Sequence, residues 1–460
     1  MGDEFGVGLQ PYLQIPSPLR STTIRHTLHF IFSKGYSLSI EQMIERNDHQ
    51  KGREVEVSGC IEVRSLGESN IPSFWGNSLQ PGRIQVEIAS DNEELTAATR
   101  FERTDKQVIT IKTPFALDWW NQEGRAPHVT INITVFAPFC GCIDDLVLKV
   151  TSLDVLLDAS LNIYSVDTTV ITTASGNVHV PLPRREIDQQ SPPPILKSRR
   201  IFIDTISGNI TGWLPLHHML RLQSASGNIS VELDLESTYW NSAVHANLSV
   251  ETISGNIDIR TRYTFYAQIG SRIAKKEPPA RDYVVELTSV SGSIEAQVVM
   301  ASRGIFRSEA GDLRLELLPF LLGSRDDGVS HLETSTTSGR TTVFMLEPLY
   351  GNAPVADDAA SIMACFELAN TIHSPSSNLA GLRSSHRSTS GSIMVSYPQS
   401  WIGKFSAETW GKLSITGPSV TITRSNTGGP TAVEGLNGEG TSFIRMHNNS
   451  GDLAFHVGEP

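Results

Sequence analysis

Nowhere in this 460-residue chain does an apolar run reach about eighteen residues, the length a helix needs to span a bilayer. The chain opens Met1, Gly2, Asp3, Glu4 with no compact apolar stretch behind a basic start, so no secretory signal is expected and an intracellular setting is the default. Cysteine is scarce. Four thiols in so long a chain exclude a disulfide-built scaffold, which is short and cysteine-dense. Cys60 and Cys365 stand alone, while Cys140 and Cys142 form Cys-Gly-Cys, a pair that suits a metal or a strained redox bridge. No second Cys/His pair at zinc-like spacing accompanies it, and buried or idle thiols are the plainer reading. Basic charge is also short: 37 Lys and Arg against 49 Asp and Glu leave a net charge of -12. Phosphate backbones and anionic membranes are bound through clustered cations, so neither nucleic acid nor a charged membrane is expected as partner. Arg184, Arg185, Lys197, Arg199 and Arg200, and again Arg272, Lys275 and Lys276, lie beside prolines and read as solvated loop charge.

What is present favours many short strands. There are 36 Gly and 24 Pro, and apolar residues make up 39 % of the chain, a composition of strands and turns rather than long helices. Residues 1–54 show no sustained periodicity and are expected to be poorly ordered. Over 55–142 apolar residues fall at alternate positions, as in Val55, Val57, then Ile84, Val86, Ile88, then Val129, Ile131, Ile133, Val135. Period two marks half-buried strands, so this stretch reads as a small N-terminal β module that covers the end of the downstream strands.

From 143 to 457 a degenerate repeat takes over. It centres on Gly176, Gly208, Gly227, Gly255, Gly292, Gly311, Gly339, Gly391, Gly411 and Gly451; Ser precedes eight of these ten, and an aliphatic residue stands two places after nine of them. Strand parity puts those aliphatic residues and the glycine on the inner side, with the flanking Ser and Asn outside, where they can ladder from copy to copy. An inward glycine marks a sharp bend or a close backbone approach. Successive glycines are 32, 19, 28, 37, 19, 28, 52, 20 and 40 residues apart. A floor of 19 to 20 residues suits one coil of a three-sided β-solenoid with loops added to the longer coils; propeller blades near 40 residues and a β-sandwich are the competing architectures. Insertions are expected at 181–200, 270–282 and 346–387, the last with a short helix from Asp357 to Asn370, and loops on a rigid array are where binding usually resides.

No motif carries a specific chemistry. The pairs Asp144–Asp145, Asp326–Asp327 and Asp357–Asp358 are adjacent in sequence, which in a strand sends the two carboxylates to opposite faces, so they read as turn residues rather than a catalytic couple. His217 and His218 lack the same-face spacing of a metal site. Trp119, Trp120, Trp213, Trp240, Trp401 and Trp410 offer stacking faces for sugars, though core packing is the plainer use. No cofactor and no metal is expected. The triplets at Asn132, Asn209, Asn228, Asn247 and Asn448 fit N-glycosylation acceptors, but the repeat itself generates two of them.

The copies Thr205–Ile210 and Thr252–Ile257, both TISGNI, and Ser224–Ile229, SASGNI, resemble the putative-adhesin family of Ser-Gly-Asn-Ile repeat proteins. The nearest likeness is to an uncharacterised fungal branch, in which a late segment reads like His386–Trp401 and a closing Ser-Gly copy comes after it, as at Ser450 and Gly451. The resemblance covers about residues 55 to 457 and implies an all-β, right-handed parallel β-solenoid with no assigned catalytic residue and a cell-surface setting. It departs at Trp410-Gly411-Lys412 and at Thr341. The expected function is a non-enzymatic, adhesin-like interaction or surface-scaffold protein that presents loops to a protein or a glycan. A solenoid carbohydrate-active enzyme and an intracellular structural protein are the alternatives.

Overall fold

Alternation at period two becomes strand throughout the computed structural model, which describes residues 22–46, 52–66, 80–104, 107–117, 126–138, 141–159, 161, 163–181, 196–236, 245–261, 278–322, 329–351, 379, 381–426 and 428–458. Among the described residues the strands form two sixteen-stranded sheets and one two-stranded ribbon, and the only α-helix is Glu93–Ala98. Asn92 caps that helix, its side-chain oxygen accepting from the amides of Glu94 and Leu95.

Each repeat lays one strand in each sheet. Leu196–Thr205 lies in the second sheet, the Ser207-Gly208-Asn209 turn carries the chain across to Ile210–Leu216 in the first, and His217-His218 returns it to Met219–Ser224. The next Ser-Gly-Asn turn then leads to Ile229–Leu235. Neighbouring strands in the repeat are parallel and in register, Ile210 against Ile229, Ile229 against Ile257, Ile257 against Ile294. The expected three sides are therefore two. The shortest spacing, 19 residues, is filled by two strands and two turns, which leaves no room for a third side. Between the sheets lies one continuous aliphatic core, for example Ile203, Ile210, Leu222, Ile229, Val250, Ile257, Leu287 and Ile294, all at most 1 % exposed. Burial of this kind stabilises by roughly 25 cal/mol per Å² removed from water.

Sheet orientation is mixed because both ends depart from the parallel rule. At one end Thr22–Phe32 and Gln80–Ser90 pair antiparallel, and Gln80–Ser90 pairs antiparallel with His128–Ala137. His128–Ala137 then runs parallel to Glu56–Ser65, which meets Asp154–Leu157. Strands of 55–142 thus belong to the same two sheets as the repeat. The segment 1–54, expected to be poorly ordered, contributes Thr22–Phe32 and Leu38–Glu45, and Phe30, Phe32, Leu38 and Ile40 are core residues. Its weak periodicity reflects the outward half of Thr22–Phe32, where polar and apolar residues are both partly exposed.

At the other end the chain doubles back. Ser442–Asn448 pairs with both Leu382–Ser388 and Gly403–Thr409, and Leu453–Val457 lies between Ile393–Tyr397 and Leu413–Thr416. The last copy of the repeat is therefore inserted between two earlier ones. The hairpin of Val420–Asn426 and Thr431–Asn437 covers the edge beyond Gly403–Thr409 with antiparallel pairing.

The insertions are narrower than expected where they are described. Leu196–Thr205 is strand, so Lys197, Arg199 and Arg200 sit in a sheet and not in a loop, with Arg200 2.8 Å from Asp167. Strands also occur at Leu349–Gly351 and Leu382–Ser388, and residues 278–282 lead into Tyr283–Ser289. The expected helix from Asp357 to Asn370, and Arg184, Arg185, Arg272, Lys275 and Lys276, lie outside the described residues.

The repeat glycines are governed by space. None of the ten has a positive φ, yet a Cβ on Gly208, Gly227, Gly255, Gly292, Gly311, Gly339 or Gly391 would collide with the backbone carbonyl of the repeat glycine on the neighbouring rung. Gly176 meets the carbonyl of Leu153 in the same way, and Gly451 and Gly411 continue the stack in spatial order, on Gly391 and on Gly451. Backbone cannot yield as a side-chain tip can. Gly255→Ala is expected to cost about 3 kcal/mol of unfolding free energy, while Gly429→Ala, where nothing lies within 4 Å, is near neutral; thermal or denaturant unfolding of the two variants checks this.

Candidate functional site

Two sets of hydrogen bonds hold the Ser-Gly-Asn turns in line. Outside, Asn177, Asn209, Asn228 and Asn256 each accept, through Oδ1, from the backbone amide one rung on: Asn209 at 3.0 Å, Asn228 at 2.9 Å, Asn256 at 2.9 Å and Ser293 at 2.9 Å. The ladder begins at Asp154, which takes the Asn177 amide, and continues through Ser293 to Asp312 and from Asp312 to Arg340. Inside, the residue three places before the glycine is a buried Thr, Ser or Asn in nine of the ten copies, while at Gly411 that place holds Glu408 and the amide donates instead to Thr409, two places before, at 3.0 Å. Ser224 accepts from the Gly227 amide at 2.8 Å and donates to the Gly208 carbonyl at 3.3 Å; Ser289 and Ser308 do the same for Gly292 and Gly311. The inner column escaped the reading of the repeat, although Thr173, Thr205, Ser224, Thr252, Ser289, Ser308, Thr336 and Ser388 stand at a constant offset from their glycines. The ten glycines and their ladders are thus occupied in building the fold. Asn448, an acceptor triplet by sequence, is fully buried, donates to the Gly391 carbonyl at 2.7 Å and accepts from the Gly451 amide at 3.1 Å, so its amide is closed to modification in the folded chain.

The other candidates scatter. Asp144 and Asp145 both face the turn at 35–37, accepting from the Gly35 amide and the Ser37 hydroxyl at 3.0 Å each. A register shift between Ile143 and Asp145 lets both carboxylates serve one side, where an unbroken strand would have separated them. Trp213 and Trp401 are buried and Trp410 is 68 % exposed. Burial pushes the Cys60 and Cys142 thiols up, which keeps them protonated and unreactive. Cys140, Cys365, Trp119, Trp120, Trp240, Asp326–Asp327 and Asp357–Asp358 lie outside the described residues.

The outer face of the first sheet carries a groove of about 610 Å³ where four rungs meet. Outward residues of Ile294–Met300, Leu313–Leu322, Thr341–Met345 and Ile393–Tyr397 form its floor: Gln297, Glu316, Phe344 and Ser396 lie in one register column, with Glu295 and Arg314 in the next. Leu346, Glu347 and Gln399 line its rim. Gln297 donates to Glu316 at 3.1 Å. Burial raises the Glu316 carboxyl, against the lowering effects of that hydrogen bond and of Arg314. Glu295 lies 3.6 Å from Arg260, which Asp258 also holds at 2.9 Å. These residues were missed because nothing in the sequence links positions 297, 316, 344 and 396 until the register aligns them.

No family model and no curated protein sequence matches the chain. Among solved structures it is similar to a putative adhesin from Parabacteroides distasonis, at 12 % identity over 72 % of this chain and 95 % of that one, with a TM-score of 0.30. A putative adhesin from Parabacteroides merdae aligns at 10 % identity over 72 % and 96 %, with a TM-score of 0.23. A putative cell adhesion protein from Clostridium sporogenes aligns at 7 % over 94 % and 100 %, with a TM-score of 0.13.

One fully buried histidine and one partly buried histidine tie stability to pH. His386 is fully buried against Thr334, 2.9 Å from Nδ1, and the Tyr397 hydroxyl, 3.4 Å from Nε2, and burial pushes it down to about 3. Burial, with Arg281, Lys197 and His218 adding to it, lowers His217 to about 4. Both are neutral when folded and protonate near 6.5 when unfolded, so the unfolded state binds more protons and stability is lost as pH falls from 6.5 towards 4. Melting temperature is expected to drop across that range, and to drop less in His386→Gln. An equal drop in the two proteins would sink the assignment. Removing one outer rung, Asn228→Ala, is expected to cost about 1 kcal/mol in the same assay.

Proposed function

We propose that the chain is an adhesin-like, non-enzymatic scaffold, a β-solenoid that holds a glycan in the groove on its first sheet. A right-handed coil is the sense expected of parallel strands joined by crossovers. What carries the reading is the composition of the groove floor: a carboxamide, a carboxyl, a hydroxyl and an aromatic ring in one column, on four rungs held in register by the glycine stack. Sugars are recognised by such sets, hydroxyls by planar amide and carboxyl groups and the ring face by an aromatic. The floor is rigid backbone sheet, so little ordering cost attends binding. Screening the purified chain against a glycan panel, then repeating with Phe344→Ala and Gln297→Ala, tests this. Each variant should weaken the best ligand by about fivefold or more, and a panel with no ligand at all would reject it.

A second reading draws on Glu316. A half-buried carboxyl raised by burial is the kind of group that protonates a glycosidic oxygen, and Glu295 is its diagonal neighbour in the sheet. Glu295 is engaged by Arg260, which favours a binding role for this pair. Product release from any glycan that binds, abolished in Glu316→Gln with binding retained, would move the chain to this class.

A further inference from the structure

The opposite face of the rod, on the second sheet, carries a cationic field that the net charge of -12 conceals. Five successive rungs, Arg303–Ser308, Ser330–Thr336, Leu382–Ser388, Ser442–Asn448 and Gly403–Thr409, present Arg303, Arg307, Arg383, Arg387, Arg445 and Lys404 outward. Only Glu333 and Glu408 oppose them on these rungs; Glu333 pairs with Arg307 at 3.0 Å and Glu408 with His447 at 3.4 Å. Arg303, Arg383, Arg387, Arg445 and Lys404 have no carboxylate within ion-pair distance among the described residues. The rungs before the field carry Glu286 and Glu251, so its boundary is sharp.

One column of this field has an order of its own. Register places Arg303, His331, Arg383, Phe443 and Lys404 side by side, all exposed, Phe443 by 41 %. Cations stand on alternate rungs, about 10 Å apart at the spacing of hydrogen-bonded strands, and a flat ring fills each place between. That order exists only because Ser442–Asn448 is inserted between Leu382–Ser388 and Gly403–Thr409. In chain order Arg383 and Lys404 would be direct neighbours, with no ring between two like charges.

We propose that this face binds a linear anionic polysaccharide lying along the rod, its acidic groups on Arg303, Arg383 and Lys404 and a sugar ring on Phe443. An extended β-linked polymer with one acidic group per disaccharide repeats at a length close to two rungs. Such a chain offers apolar ring faces alternating with charge, which is what the column presents. A duplex nucleic acid would use the cations and leave the rings idle, and an acidic peptide has neither the period nor the flat faces. The face lies on the other sheet from the groove and shares no residue with it.

The test is binding of hyaluronan oligosaccharides, β-linked with one carboxylate per disaccharide, to the full chain by calorimetry near 0.15 M salt and at several lower concentrations, with duplex DNA and polyglutamate as competitors. Hyaluronan should bind, weaken with salt, and outcompete both. Arg383→Glu combined with Lys404→Glu should lose about tenfold or more. Phe443→Ala should lose about fivefold with an unchanged salt slope, since a ring carries no charge. Glu316→Gln and Phe344→Ala, in the groove, should leave hyaluronan binding as it was, which separates failure of this proposal from failure of the glycan reading. All the substituted side chains on this face are exposed, so melting temperatures should match the parent and exclude misfolding as the cause. The proposal is overturned by absence of hyaluronan binding at the lowest salt, by indifference to the double charge reversal, by indifference to Phe443→Ala, or by duplex DNA or polyglutamate binding as tightly as hyaluronan.

Discussion

Everything in this molecule rests on how closely one backbone can lie on another at the Ser-Gly-Asn turn. Rung sits on rung through glycine, each next to the carbonyl of its counterpart one layer away, with no space for even a methyl group. Because the turns nest at strand spacing, the strands on both sides stay in register, and register turns aliphatic positions into a continuous core. The buried hydroxyl three places earlier and the outward amide one place later satisfy the backbone groups that the turn removes from the sheets. Core, ladders and close approach therefore reinforce one another, and loss of the glycine disturbs all three.

Rigidity of this kind has a consequence for surfaces. Outward side chains from distant parts of the sequence fall into straight columns, each with the strand spacing as its period. The groove on one sheet and the cationic field on the other are both of this type. They differ in chemistry since the first gathers an amide, a carboxyl and an aromatic ring around a recess, whereas the second is flat and charged.

Much of the architecture was legible. The period of two announced strands, and Gly176 through Gly451 with their aliphatic partners marked the repeat. Parity put the glycine inside and the Asn outside, where Asn209, Asn228 and Asn256 ladder. Less of the arrangement was readable. A spacing of 19 residues fits three short sides as well as two longer ones, and only the pairing of Met219–Ser224 and Ile229–Leu235 in different sheets chooses between them. Asp144 and Asp145 looked like opposite faces of a strand because a bulge leaves no mark in the pattern of hydrophobic residues.

By itself the sequence determined an all-β chain, the inner and outer sides of its repeat and the glycines that permit stacking, because each of these comes from local steric and periodic rules. Only the tertiary structure decided which strands are neighbours. Chain order would stack Gly451 beyond Gly411, but the last copy lies between Gly391 and Gly411. Parallel rungs share one hydrogen-bonding pattern, so any copy can pair with any other, and local sequence carries no preference for the one that precedes it. Closure of the rod's end selects the order, and with it the neighbours of Arg383, Phe443 and Lys404 on the surface.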